Sequence, residues 1–132
     1  MSYYTYILAS HAPIYTGQDE TGRSIFSTNY RALCGATPAE FPEQILNYLQ
    51  TNGVGTVGTD MFVGSAAVLE GDGTFVLLNP TGGLLPLVDH DDSQANNLSF
   101  QITTLGTDAN ASLQKASSVY GLLISPTGLT LT

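Results

Sequence analysis

Aromatic and β-branched residues crowd the opening of the chain. Ser2–Ser10 (SYYTYILAS) puts Tyr4, Tyr6 and Leu8 on one side of an extended strand and Tyr3, Thr5, Ile7 and Ala9 on the other. Both sides carry apolar mass, so the strand is expected to be covered on both, within the chain or by a neighbouring subunit. Pro13 breaks it. A polar turn, Gly17–Arg23, leads into a second strand over Ser24–Leu33, where Phe26, Thr28, Tyr30 and Ala32 share a side. Leu98–Leu105 alternates most cleanly, with Leu98, Phe100 and Ile102 set against Ser99, Gln101 and Thr103, the pattern of a half-buried strand.

Twice the apolar spacing lengthens to that of a helix. Thr37-Pro38-Ala39-Glu40 has the arrangement of a capping box, but Pro42 would forfeit a hydrogen bond inside a helix. The regular helix is therefore predicted to begin near Phe41 or Pro42, to bury Phe41, Ile45, Tyr48 and Leu49, and to stop at Asn52-Gly53 by left-handed capping. A second helix is predicted from a Thr107 or Asp108 cap to about Ile124, with Ala109, Leu113, Ala116, Tyr120 and Leu123 as its apolar stripe and with Pro126 and Gly128 beyond it. Between the helices, Asp60–Gly64 and Thr74–Asn79 read as strands joined as a hairpin through Gly71-Asp72-Gly73. Thr81–Asn97, with Gly82-Gly83, Pro86 and the cluster Asp89-His90-Asp91-Asp92, reads as a long exposed loop, and Leu129–Thr132 as a short last strand. The expected fold class is α+β in a single domain: an antiparallel β-sheet of about four to six strands with two α-helices packed on one face. There is no internal repeat and no low-complexity linker.

Composition changes this picture in one respect. The 132 residues are 42% hydrophobic, enough for one core, but only 11% charged, less than half the usual share of about a quarter. Thr, Ser, Asn, Gln and Gly must cover the surface instead. Such a surface costs little to desolvate and leans toward assembly. The net charge of −8 sets 11 acids against Arg23, Arg31 and Lys115. Three cations cannot neutralise a run of phosphates, so direct nucleic-acid binding is not expected; an acidic surface would repel DNA. Cys34 stands alone, which excludes an intrachain disulfide framework and suits a small core or edge residue. The N-terminus lacks the charged and apolar regions of a signal peptide, and no apolar run approaches the length of a membrane span.

Reactive chemistry is sparse. His90 among Asp89, Asp91 and Asp92 is the one group with metal-ligand potential, but adjacent loop residues rarely converge on one ion, and the run lacks the glycine and distal glutamate of a calcium loop. It reads as a solvated acidic loop, and no metal or cofactor is expected. His11, beside Pro13, reads as a strand-end residue rather than a base. Gly53-Val54-Gly55-Thr56-Val57-Gly58 has the spacing of a dinucleotide fingerprint but follows a helix and precedes a strand, the reverse of what that site needs. No nucleophile elbow occurs. On its residues the chain is a small module built to touch other proteins, and no enzyme is expected.

The stretch Gln44–Gly83, in which a helix ending at Asn52-Gly53 leads to Gly58-Thr59-Asp60-Met61-Phe62-Val63-Gly64 and then to Thr81-Gly82-Gly83, resembles the small tail-terminator or minor capsid proteins of long-tailed bacteriophages. Leu98–Leu123 resembles their following strand and long helix. A pattern that the family carries after that helix, G-x-D-x-x-G-R-x-x-F-x-x-N, stands here at the beginning, as Gly17–Asn29. Residues 1–34 thus resemble the family's C-terminal strands and residues 37–132 its N-terminal part, so the chain looks like a circular permutant with the old ends fused near Cys34–Thr37.

The resemblance implies a virion protein that forms a ring, commonly a hexamer, on the head-proximal end of a tail tube. There it would stop tube growth and offer a docking surface to the head. The implied partners are copies of itself, the tail tube protein and the head–neck connector proteins, with DNA passing transiently through the bore and no membrane involved. Ring contacts are expected from Tyr3, Tyr4, Tyr6, Ile7, Phe26 and Tyr30. Asp19, Glu20, Asp89, Asp91 and Asp92 are expected on the bore or an axial face. Another neck, head-completion or decoration protein would look alike in size and charge. A small-ligand-binding or hydrolytic α/β domain using His90 with Asp89 is the alternative from a different class.

Overall fold

One strand organises the sheet. β3 (Ser24–Cys34) pairs antiparallel with β6 (Gln94–Gly106) along its whole length, from Ser24↔Gly106 to Cys34↔Asn96. Its other flank is shared. β1 (Tyr3–Ala9) lies against the end of β3, with Thr5↔Cys34 and Ala9↔Tyr30. β2 (Ile14–Gln18) lies against its start, with Ile14↔Ser27 and Gln18↔Ser24. Pro13 therefore does not end a hairpin; it divides one long arm into two strands on the same track. The structure, a computed structural model, describes residues 3–34, 40–64, 73–88, 94–124 and 129–131.

Beyond β6 come β5 (Thr74–Val88) and then β4 (Met61–Val63), and beyond β1 comes β7 (Leu129–Leu131). The sheet is six strands across in the order β4-β5-β6-β3-β1-β7, with β2 beside β3. Its helices are α1 (Phe41–Thr51) and α2 (Ala109–Leu123). The expected α+β domain with two helices is what forms, but the sheet is mixed rather than wholly antiparallel. β4 runs parallel to β5, with Met61↔Val76 and Val63↔Leu78, so the two do not make the expected hairpin. The Gly71-Asp72 part of that turn lies outside the described residues. The expected loop over 81–97 is corrected as well. Gly82 pairs with Ser99, Leu84 with Asn97, and Val88 with Gln94, so β5 and β6 continue as a long two-stranded arm.

Side-chain alternation decides what is buried. Ile7, Tyr30, Ala32, Leu98, Phe100, Ile102, Val76 and Leu78 come from paired, same-side positions of four strands and pack with both helices in one core. Phe100 is its centre. Its ring stacks on Tyr30 at 5.1 Å and 12°, and meets Phe41 of α1 edge-on at 5.3 Å and 66°. From α1 the core takes Phe41, Ile45, Leu46 and Leu49, with Tyr48 only partly buried.

α1 begins where Pro42 allows, at Phe41, with Glu40 as its N-cap residue; Thr37 lies outside the described residues. Its end is a Schellman motif. Gly53 takes φ +81°, its N–H donates to the Gln50 carbonyl, and the Val54 N–H donates to Leu49, while Val54 itself is buried with Leu49. α2 is capped by the Asp108 carboxylate, which accepts from the Asn110 N–H at 3.0 Å. Its buried positions are Ser112, Ala116, Val119 and Leu123. The predicted stripe is thus corrected by part of a turn, because Leu113 is exposed and Ser112 lies inside.

Candidate functional site

Both helices cover one side of the sheet, so the other side depends on the strands' own outward residues. At the end where β3 begins, that side is closed. The Arg23 guanidinium lies over the Phe75 ring, 5.4 Å from its centroid, and Phe75, Leu105 and Ile25 stand in one register row. In the middle it is polar: Ser27 and Thr103 hydroxyls lie 3.3 Å apart, and Asn29 pairs in register with Gln101. At the end where β3 finishes it is open and apolar. Tyr6 (40% exposed), Leu8 (53%) and Leu33 (39%) lie together, since Tyr6 pairs with Leu33 and Leu8 with Arg31. Arg31 is exposed among them. It is the one cation without an acidic or carbonyl partner among the described residues. Arg23 pairs with Asp19 at 3.6 Å, and the Lys115 ammonium donates to the Val54 carbonyl.

The strand that looked apolar on both sides is therefore covered on one. Of the residues expected to make ring contacts, Ile7 (2% exposed), Tyr30 (2%) and Phe26 (9%) are buried in the protomer's own core, which corrects that assignment. Alternation puts them on the helix-covered side, where no neighbour can reach them. Burial also pushes the Tyr30 phenol well above its ordinary value. Tyr6 lies on the open patch. Tyr3 and Tyr4 are in β1, with their backbones paired to Leu131 and Thr130 of β7. Leu8, Arg31 and Leu33 complete the patch and were not singled out from the sequence. Their signal was present: they are the odd partners of Ile7, Ala32 and Tyr30 in the same alternation. A second exposed apolar pair, Ile14 and Tyr15, stands on the β2 edge, where Tyr15 meets Phe26 edge-on at 5.5 Å.

Of the acids expected on a bore or axial face, Asp19 and Glu20 lie in the β2–β3 turn, while Asp89, Asp91, Asp92 and the neighbouring His90 lie outside the described residues. Asp19 has a local task. Its carboxylate accepts from the Arg23 N–H at 2.8 Å, the Thr21 N–H at 3.0 Å and the Thr21 hydroxyl at 2.8 Å. These bonds, the Arg23 N–H first, hold it below the ordinary carboxylate value of 3.8. A depressed acid stabilises the fold above its unfolded value and loses that contribution as pH falls through the folded one. Asp19→Asn is thus expected to lower the thermal midpoint at neutral pH. The gap from the parent protein should close as both are melted at pH values descending below 3.8; a gap that persists there would show that charge is not what the turn uses.

One concavity, about 790 Å³, is an open groove between α2 and the loop after α1. Its floor holds no acid–base pair. Lys115 is engaged by Val54, and the Asp60 carboxylate accepts from the Thr56 N–H at 2.7 Å. The glycine run that mimics a dinucleotide fingerprint is this loop. Among the described residues no three His, Cys, Asp or Glu side chains gather as a metal site. His11 sits beside Asn29, its Nε2 3.3 Å from Nδ2. No helix among the described residues is long and apolar enough to cross a membrane. The chain matches no protein-family model, no curated protein and no solved structure. Among the described residues, the open end of the sheet gathers three exposed large apolar side chains, Tyr6, Leu8 and Leu33.

Proposed function

We propose that this chain is a virion structural protein whose copies close into a ring at the head-proximal end of a phage tail tube, letting the genome pass without binding it. The observation that carries the reading is the uncovered patch of Tyr6, Leu8 and Leu33 on a sheet whose other side is sealed by both helices. Apolar clusters of this kind on a weakly charged surface mark contacts with other proteins. With 11 acids and three cations, the same surface suits a bore through which DNA slides. The tail-terminator resemblance of Gln44–Gly83 and Gly17–Asn29 supplies the position in the virion, and with it the tube and connector proteins as partners. The circular permutation belongs to the same proposal. It asks for chain ends that meet, and Tyr3 pairs with Leu131 on neighbouring strands.

Native mass measurement tests the reading. The purified protein is expected to form one discrete closed species, six-fold if it follows the resemblance, that caps tail tubes in electron micrographs. A monomer of 13.9 kDa at every concentration overturns it. Leu8→Glu places a charge in the patch, at a side chain that packs against little in the protomer. It is expected to abolish the assembly while leaving the far-ultraviolet dichroism of the folded chain unchanged.

A further inference from the structure

A second concavity, about 430 Å³, lies between α1 and β4. Its floor is apolar, since Leu46 and Met61 are fully buried, and two exposed side chains, Val57 (38%) and Val63 (45%), stand beside it. Glu43, in the first turn of α1, is the one charged residue of its lining. Strand addition does not suit this edge. The Gly58 N–H donates to the Met61 carbonyl at 2.9 Å and the Met61 N–H to the Thr56 carbonyl at 3.2 Å, so the chain's own loop already takes the hydrogen bonds that Met61 could give a further strand. What the groove offers is room for apolar side chains beside a carboxylate. The bare patch on the sheet has the opposite character: Tyr6, Leu8 and Leu33 lie with the exposed cation Arg31. Neither Arg31 nor Glu43 has an oppositely charged partner among the described residues.

We infer that the α1–β4 groove of one copy receives the Tyr6, Leu8 and Leu33 patch of a second copy, with Glu43 facing the second copy's Arg31. This rests on the ring reading and names the surfaces that close the ring. Charge complementarity selects the occupant. Of the chain's three cations, Arg23 is paired with Asp19 and Lys115 is bound to the Val54 carbonyl, so among the described residues Arg31 is the one left to meet an acid. Glu43 borders an apolar concavity with its carboxylate uncommitted among those residues; Asp60 borders the other groove but is held by the Thr56 N–H. Position excludes the chain's own groove. β4 and β1 lie four strand steps apart, about 19 Å at about 4.8 Å a step. Groove and patch also face opposite ways. Met61 and Val63 pair with the core residues Val76 and Leu78, so the groove is on the helix-covered side, whereas the patch is on the bare side. Opposite edges and opposite sides are what a lapped contact needs: the helix side of one copy's β4 edge lies over the bare side of the next copy's β1 edge, as tiles overlap. Such a contact is heterologous, and repeating it makes a ring when the rotation closes.

Charge reversal in the full chain tests the pairing of these two residues. Arg31→Glu alone sets acid against acid at every contact, and Glu43→Arg alone sets cation against cation. Each is expected to weaken self-association at least about tenfold by native mass and sedimentation, with its far-ultraviolet dichroism unchanged. Mixed one to one, the two variants match at every contact, because the patch of each suits the groove of the other. Association is expected to return to the parent's level, with both chains present in equal number. If either single variant assembles as the parent does, or if both are dissociated and the mixture stays dissociated, the groove-to-patch contact is overturned while the ring reading stands. If the unmodified protein is a monomer of 13.9 kDa at every concentration, both fall together. Should a reversal cost the fold, Leu8→Glu and Val63→Glu replace the pair. Between them these keep one intact groove and one intact patch, so their mixture is expected to give a heterodimer of twice 13.9 kDa and nothing larger, and its absence overturns the contact.

Discussion

Phe100→Ala is expected to remove about 3–5 kcal/mol of stability, a large share of what a domain of this size has in total. The thermal midpoint should fall by roughly 10–20 °C. The reason lies in what borders the ring. Phe100 is 1% exposed and sits between Tyr30, which belongs to the strand beside it, and Phe41, at the first turn of α1. Its loss removes buried apolar area and leaves a void whose two aromatic walls are anchored in different elements. Such walls cannot close together without moving the helix relative to the sheet, so the cavity cost is retained rather than relaxed away. Leu113→Ala is the matched control: that side chain is 40% exposed on α2, and its removal should change stability by less than about 0.5 kcal/mol. Both are measured by calorimetry at one protein concentration, since assembly would make the midpoint concentration-dependent. A Phe100→Ala midpoint within two or three degrees of the parent's, on the scale of about 4 °C per kcal/mol, would mean that the aromatic stack does not hold the helix to the sheet.

Why some of this was legible before the structure, and some not, follows from where each decision is made. β3 and the Leu98–Leu105 part of β6 follow from alternation, because a strand with one covered side has only one register that buries its apolar set. α1 was legible down to its ends: Pro42 sets where the helix can start, and Asn52-Gly53 supplies the left-handed residue that stops it. The stripe of α2 was misplaced because hydropathy cannot see that Ser112 is satisfied inside. Its hydroxyl donates to the Asp108 carbonyl at 3.1 Å, and its own carbonyl accepts from the buried Thr104 hydroxyl at 3.0 Å. Gly82-Gly83 and Pro86 pointed to a loop, yet pairing with β6 carries β5 through them and the two register shifts absorb the misfit. The direction of β4 could not be read from three residues, since strand direction is a property of the connection. The open patch was half legible. Both sides of β1 are apolar in sequence, and which one stays bare is settled by the side on which both helices come to lie. That same fact turns Ile7, Phe26 and Tyr30 from contact residues into core, and leaves Tyr6, Leu8 and Leu33 outside.

Gly55→Val is expected to cost about 1–3 kcal/mol, through a clash that names its own partner. A Cβ at Gly55 would lie 2.6 Å from Asp60 Oδ1, 3.1 Å from Asp60 Cγ and 3.1 Å from the Met61 side chain. None of these can simply give way. The Asp60 carboxylate accepts from the Thr56 N–H at 2.7 Å, and the backbone N–H groups of Thr59, Asp60 and Met61 all reach the Thr56 carbonyl at 3.1–3.2 Å. Gln50 of α1 closes the loop from the other side, accepting from the Val57 N–H at 2.8 Å. Met61 is fully buried, and the Asp60 carbonyl accepts from the Val76 N–H at 2.8 Å, so the loop is tied to the β4–β5 pair. Displacing the carboxylate would leave the Thr56 N–H without its acceptor; displacing Met61 would open the core. A double-mutant cycle separates this clash from general loop sensitivity. Asp60→Ala alone removes a charge-assisted bond worth about 1.5–3 kcal/mol, but it also removes the atom that the introduced valine side chain would strike. The double variant is therefore expected to lose clearly less than the sum of the two single losses. Additivity within about 0.5 kcal/mol would place the strain elsewhere. Gly73→Ala, where an added Cβ meets nothing within 4 Å, should be close to neutral in the same assay. The decoy glycines thus have a physical purpose without a phosphate: Gly53 turns the chain out of α1, and Gly55 lets it pass against the Asp60 carboxylate that closes the loop on Thr56, while the Asp60 carbonyl ties the loop to Val76 of β5.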